Sequence, residues 1–162
     1  MKKILIFILI VLPVYLIVSL YFIDKDYFLC PIEYNKDIII RSDSRGDGFF
    51  AAKRNGNRSH NGIDFLAEVG APVLAVRSGR VVSATKNKGM GNYIIIRHPQ
   101  GMITIYGHLS RLCVFKNDFV RQGDVIGEVG KTGNANYRDI LPHLHFEVRQ
   151  NGQPQDPMEY LQ

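Results

Sequence analysis

Pro142-His143-Leu144-His145-Phe146-Glu147 is the stretch from which the rest of this chain is read. Leu144, Phe146 and Val148 alternate with His143, His145 and Glu147, and that alternation predicts a β-strand. Side chains on a strand repeat every two residues, so both histidines and the glutamate project from one face. Two adjacent imidazoles make a poor solvent face and a costly core. They make a good metal site if a third ligand comes from elsewhere.

Arg58-Ser59-His60-Asn61-Gly62-Ile63-Asp64 offers that ligand, in a polar cluster just ahead of an apolar run. Asn61-Gly62 is a turn signal, and a tight turn lets His60 and Asp64 converge on one ion. With His145 the set becomes two imidazoles and a carboxylate. Hydrolytic zinc uses such a set and keeps its fourth position for water. Spacing alone does not say which histidine of the 143/145 pair is the ligand.

Outward from these clusters the pattern is almost entirely β. Strands are predicted at 37–41, 73–76, 80–84, 93–97, 102–106, 125–129 and 144–149, short and rich in valine and isoleucine. All 15 glycines lie beyond residue 23, as turn-dense antiparallel structure requires. His98-Pro99-Gln100-Gly101 is expected as a hairpin loop, with His98 a turn residue rather than a ligand. Asn151-Gly152 is a second turn signal, and 43–57 is expected as a loop leading into the first cluster. No helical period, internal repeat or low-complexity tail accompanies them. The expected fold class is all-β, an antiparallel sandwich-like domain over 37–162.

The N-terminus is different. Residues 4–23 are 20 positions without a charge, preceded by Lys2 and Lys3. A helix of about 20 residues crosses a bilayer, and Pro13 and Ser19 are tolerated inside one. Asp24-Lys25-Asp26 follows instead of a small-x-small cleavage site. Tyr27-Phe28-Leu29 ahead of Cys30 lacks the small residues of a lipoprotein acceptor. The expectation is an uncleaved signal anchor over 1–23 and a juxtamembrane connector over 24–36, reaching roughly 40 Å at most. The two lysines stay in the cytoplasm, so all that follows lies outside the cell membrane. A cleaved signal peptide gives the same compartment.

Length allows one domain with a real core and not two. Taking Lys2 and Lys3 out of the formal +5 leaves +3 for the outer part. That excess suits an anionic neighbour such as cell-wall polymer or lipid headgroups, and equally ordinary solubility. No cluster of lysine and arginine with interleaved aromatics points to nucleic acid. Cys30 and Cys113 are the only cysteines. An oxidising exterior permits them to pair, but sequence does not show that they meet.

His60-x-x-x-Asp64 with Gly62 between, Tyr106-Gly107-His108-Leu109, Gly130-Lys131-Thr132-Gly133 and His143-Leu144-His145-Phe146-Glu147 together resemble the lysostaphin/LytM-type zinc endopeptidases. Those enzymes cut peptide cross-links of bacterial peptidoglycan. The resemblance runs over roughly 38–161, with the motifs in order, and two-part metal motifs in order are specific. It implies one zinc ion on His60, Asp64 and His145, with His143 and His108 as catalytic histidines beside it. It also implies antiparallel sheets with a groove across the metal, and peptidoglycan stem peptides as the partner of a monomer. Glu147 would orient a ligand or form a surface salt bridge; Tyr106 would donate to an oxyanion or pack. Two departures stand out: Phe49-Phe50-Ala51-Ala52 replaces a common Phe-Gly pair, and the loop 134–141, with Tyr137, Arg138 and Asp139, is longer and more polar. A non-catalytic module that activates other wall hydrolases is the alternative, against which every metal and catalytic position is filled. An iron oxygenase triad uses similar ligands, but an exterior site lacks cytosolic co-substrates.

Overall fold

The structure is a computed structural model, and it describes residues 11–15, 24, 27–34, 37–54 and 56–161. The expected anchor therefore falls largely outside the described residues. Residues 11–15 are helical and exposed, and among the described residues no helix is long and apolar enough to cross a membrane.

Two short hairpins come first: β1 (Ser42–Asp43) with β2 (Gly46–Asp47), and β3 (Lys53–Arg54) with β4 (Arg58–Ser59). They occupy the stretch 43–57 expected as loop. Positive φ at Gly46, Gly56 and Asn57 makes both reversals possible. β5 (Ile63–Leu66) and β6 (Pro72–Leu74) follow, then the long β7 (Gly79–Asn87), β8 (Gly91–Arg97) and β9 (Met102–Leu109). β10 (Arg111–Leu112), β11 (Phe119–Val120), β12 (Val125–Glu128), β13 (His143–Gln150) and β14 (Gln153–Gln155) complete the set.

All pairings between these strands are antiparallel. A seven-stranded sheet runs β11-β7-β8-β9-β13-β14, with β5 also on β13, and a three-stranded sheet runs β10-β12-β6. β13 is thus central: β9 lines one edge, while β5 and β14 share the other. Leu144, Phe146 and Val148 turn their alternating face into a core that both sheets share, with Val73 and Ile126 from the smaller one. Burying such side chains contributes roughly 1.5–3 kcal/mol each, which holds the strand in this register.

Two expectations need correction. Segment 37–41 is no strand; only Ile40 bridges to Phe65, and Ile39 is exposed. The expected connector is also part of the domain over its described residues. Phe28 and Ile32 are buried in the core, Phe28 bridges Leu161, and Leu29 N–H donates to the Val76 carbonyl. Two large apolar side chains in seven residues explain why it docks rather than dangles. The loop 134–141 is likewise pinned: Asp139 pairs with Arg45 at 2.7 Å, and Asp43 accepts from Leu141 N–H at 3.1 Å. Cys30 and Cys113 are separate free thiols.

Candidate metal and catalytic centre

In register, His145 stands between Asp64 on β5 and Gly107 on β9, so the two ligand candidates are direct cross-strand neighbours. Gly62 makes that approach possible. A Cβ there would overlap the Phe146 carbonyl oxygen and the Glu147 side chain, so β5 can reach β13 only with glycine at its entry. Gly62→Ala is expected to cost about 1–3 kcal/mol of stability, the usual range for overpacking, read by thermal unfolding. An unchanged midpoint would mean that the strands separate freely.

His60 precedes β5, and its backbone is clamped by Ala51 and Ala52. Ala51 holds a left-handed φ of 59°, the conformation for which glycine in a Phe-Gly pair is suited. The Phe49 carbonyl accepts from His60 Nδ1–H at 2.9 Å. A carbonyl can only accept, so in the neutral ring Nε2 offers a lone pair. Glu147 does the same for His145: its carboxylate accepts from Nε2–H at 3.0 Å, so it is Nδ1 that offers a lone pair once the ring gives up its second proton. Glu147 is itself buried and held by Arg149, so it is both a ligand-orienting group and half of an ion pair.

The three remaining atoms meet. His60 Nε2 lies 3.1 Å from Asp64 Oδ1 and 3.0 Å from His145 Nδ1, and His145 Nδ1 lies 2.8 Å from Asp64 Oδ1. Two imidazole nitrogens and a carboxylate oxygen, all buried, converge on one point, where a bound cation would replace the proton that His145 shares with Asp64. Such a point calls for a cation. Burial pulls the His145 pKa down, but its hydrogen bonds to Asp64 and Glu147 prevail and raise it to about 9. Burial pushes Asp64 up, yet the bonds from His145 and His60 outweigh it and hold the carboxyl well below its usual range. The donor set, two nitrogens and one oxygen, fits zinc with one position left open.

The other carboxylate oxygen of Asp64 meets two arginines. Arg41 donates to Oδ2 from Nη2 at 2.9 Å and from Nε at 3.3 Å; Arg54 donates at 3.2 Å. Neither was foreseen as a site residue. Arg41 closes an apolar run, its sole sequence signal, and Arg54 stands in an expected loop. They fix the carboxylate's orientation, and Arg41 is buried and charge-balanced by Asp43 at 2.6 Å.

His143 and His108 flank this point without joining it. The Leu141 carbonyl accepts from His143 Nδ1–H at 2.7 Å, and His143 Nε2 is 3.9 Å from Asp64 Oδ1. The Thr132 carbonyl accepts from His108 Nδ1–H at 2.9 Å, and the two rings meet edge to face at 5.0 Å. Burial lowers both pKa values, His108 to about 3, so both rings are neutral at neutral pH. His108 has φ +64°, left-handed backbone that a side-chain-bearing residue adopts at a cost. The register between β8 and β9 slips at this place, with three steps on β9 against two on β8. The bulge turns His108 into the groove while Tyr106 stays in the core.

Tyr106 is therefore not a groove residue. It is fully buried against Phe146, and its hydroxyl accepts from Val76 N–H and Thr104 Oγ1–H. His98 is buried too, bonded to the Ser78 carbonyl and Thr104 and remote from the metal point. A groove of about 630 Å³ crosses the site, walled by the first hairpins, by Met90 and by the 134–140 segment.

Residues 58–157 match the profile of peptidase family M23, which is more than half of the chain. Peptidoglycan DD-endopeptidase ShyC of Vibrio cholerae is 41% identical over 100 residues, covering 62% of this chain and 22% of ShyC. The chain spans between 22% and 36% of the length of the curated relatives it matches. Among solved structures, a zinc-containing peptidase from Vibrio cholerae superposes with a TM-score of 0.68 at 32% identity, over 83% of this chain and 40% of that one. The catalytic domain of the antimicrobial peptidase lysostaphin from Staphylococcus simulans gives 0.61 at 35% identity, over 73% and 91%. The cluster able to hold zinc, the antiparallel fold and these matches agree: the chain belongs to peptidase family M23.

Proposed function

We propose that this chain is a membrane-anchored endopeptidase that hydrolyses peptide cross-links of bacterial peptidoglycan. Three converging ligand atoms beside two neutral imidazoles in one groove carry that reading. His60 Nε2, Asp64 Oδ1 and His145 Nδ1 would hold the zinc ion. Zinc bound there supplies Lewis acidity and a water of lowered pKa. His143 and His108 each keep Nδ1–H on a backbone carbonyl, so each presents Nε2 as a proton acceptor. One takes the proton of the attacking water at Nε2 and, as the imidazolium so formed, returns it to the departing amine; the other stands beside the reacting carbonyl as a neutral ring. Glu147, Arg41 and Arg54 act on the ligands, holding His145 and Asp64 in orientation.

The domain would comprise 37–162 together with the docked part of 24–36, and 1–23 would form the anchor with the groove on the extracytoplasmic side. The lysines before the apolar run and the name of ShyC as a peptidoglycan enzyme support that placement. The test uses the full chain in detergent, incubated with purified peptidoglycan, with new amino termini identified by mass spectrometry. Termini within cross-linked peptides are expected, the D,D bond named for ShyC being the first to examine. Binding of zinc and peptidoglycan without new termini would favour the regulatory alternative.

A further inference from the structure

At the edge of the large sheet, Phe119 on β11 pairs with Arg80 on β7, and Arg80 pairs with Arg97 on β8. All three are exposed and share one face. Two arginines directly opposite each other repel, a cost that an anionic neighbour relieves; Arg80 also donates to the Asn117 carbonyl at 2.8 Å. Beside this row Phe115 is 77% exposed and Phe119 64%, with Lys116 and Asp118 between them in sequence, the Asp118 carboxylate accepting from the Phe115 N–H. Two nearly bare phenylalanines beside Arg80, Arg97 and Lys116 are an unusual water-facing surface. The pattern suits a bilayer interface, where rings enter the acyl boundary and cations meet headgroups.

The chain's own route supports the same occupant. Asp24, the first residue after the apolar run, accepts from Ser78 N–H at 2.8 Å and from the Ser78 hydroxyl. Ser78 Oγ accepts in turn from Gln122 N–H, and Gln122 donates to the Tyr27 carbonyl. Ser78 and Gln122 flank the Gly79–Val120 pair, next to Phe119 and Arg80. The segment leaving residue 23 is thus fastened within two residues of the patch. The groove lies at the far end of β7, roughly 25–30 Å along the strand, so membrane contact leaves it open.

We propose that Phe115 and Phe119, with Arg80, Arg97 and Lys116, form a second membrane contact that seats the domain on an anionic phospholipid surface. The inference rests on residues 1–23 being an anchor, and it replaces a loose tether by a domain held in one orientation.

The chain has no tryptophan, so single reporters are available. Phe115→Trp and Phe119→Trp probe the patch; Tyr137→Trp, on the loop beside the groove, is the control. Each full-length variant is reconstituted into phosphatidylcholine vesicles with or without phosphatidylglycerol, using lipids brominated in the upper acyl chain. Loss of tryptophan emission is expected at 115 and 119 in the phosphatidylglycerol vesicles, with no loss at 137. Co-flotation with vesicles but unquenched emission at 115 and 119 overturns the patch and leaves the anchor standing. Failure to co-float overturns both. Equal quenching without phosphatidylglycerol overturns the role given to the cations.

Discussion

His145→Ala is expected to lose bound zinc and peptide cleavage together. His145 contributes one of the three protein atoms that converge at the proposed metal point among the described residues, and its Nδ1 lies within 3.0 Å of both others. Removing the ring leaves Asp64 and His60 as a two-atom site and deprives the buried Glu147 of a partner. Two protein ligands do not hold zinc against buffer when the usual catalytic set is three. Loss of the ion also removes a cation around which three buried groups are arranged, so thermal stability falls as well. The check is zinc content by mass spectrometry after desalting, with unfolding and cleavage measured on the same preparation. Stoichiometric zinc in His145→Ala would sink the ligand assignment whatever happened to activity.

His143→Ala, two residues earlier on the same face, should behave differently. Its Nε2 stops 3.9 Å from the Asp64 oxygen, close enough to reach a molecule in the groove and too far to be one of the converging atoms. Zinc should remain, and cleavage should fall about 10²-fold or more, in kcat rather than KM, the usual worth of a positioned acid or base. His108→Gly is the matching variant for the second histidine, because glycine accepts the left-handed backbone at that position without strain. The pH dependence has a definite sign. Burial lowers both pKa values below the ordinary 6.5, and the proton-accepting form is the unprotonated one. Cleavage should therefore persist below pH 6.5 and be lost only as pH falls through the lowered values. Wild-type rates in His143→Ala at unchanged zinc would leave a hydrolase whose proton chemistry belongs elsewhere.

The strand that carries both histidines was legible because its cause is local. Alternation of Leu144, Phe146 and Val148 with polar residues specifies which face is buried, and a one-residue slip would put both histidines in the core. The same holds for the turn at Asn61-Gly62, where no side chain fits between the strands. The ligand set needed more than spacing, since nothing local distinguishes His143 from His145. Register separates them, and on it the proposed ligand is His145: Asp64 stands opposite His145, while Leu66 stands opposite His143.

What sequence by itself determined was the mostly β, antiparallel class, the two clusters that meet at the proposed metal site, and an apolar N-terminal run unlike the rest. Tertiary structure alone decided which way the remaining residues face. Strict alternation sends Tyr106 and His108 to the same side, and only the bulge separates them. That bulge is held by the carbonyls of Met90 and Thr132, 18 and 24 residues away, which accept from the His108 backbone N–H and ring. Arg41 and the docked segment around Phe28 and Ile32 escaped notice for the same reason. Their partners, Asp64 and the far strand ends, lie distant in sequence, and a periodic pattern carries no information about contacts beyond its own strand.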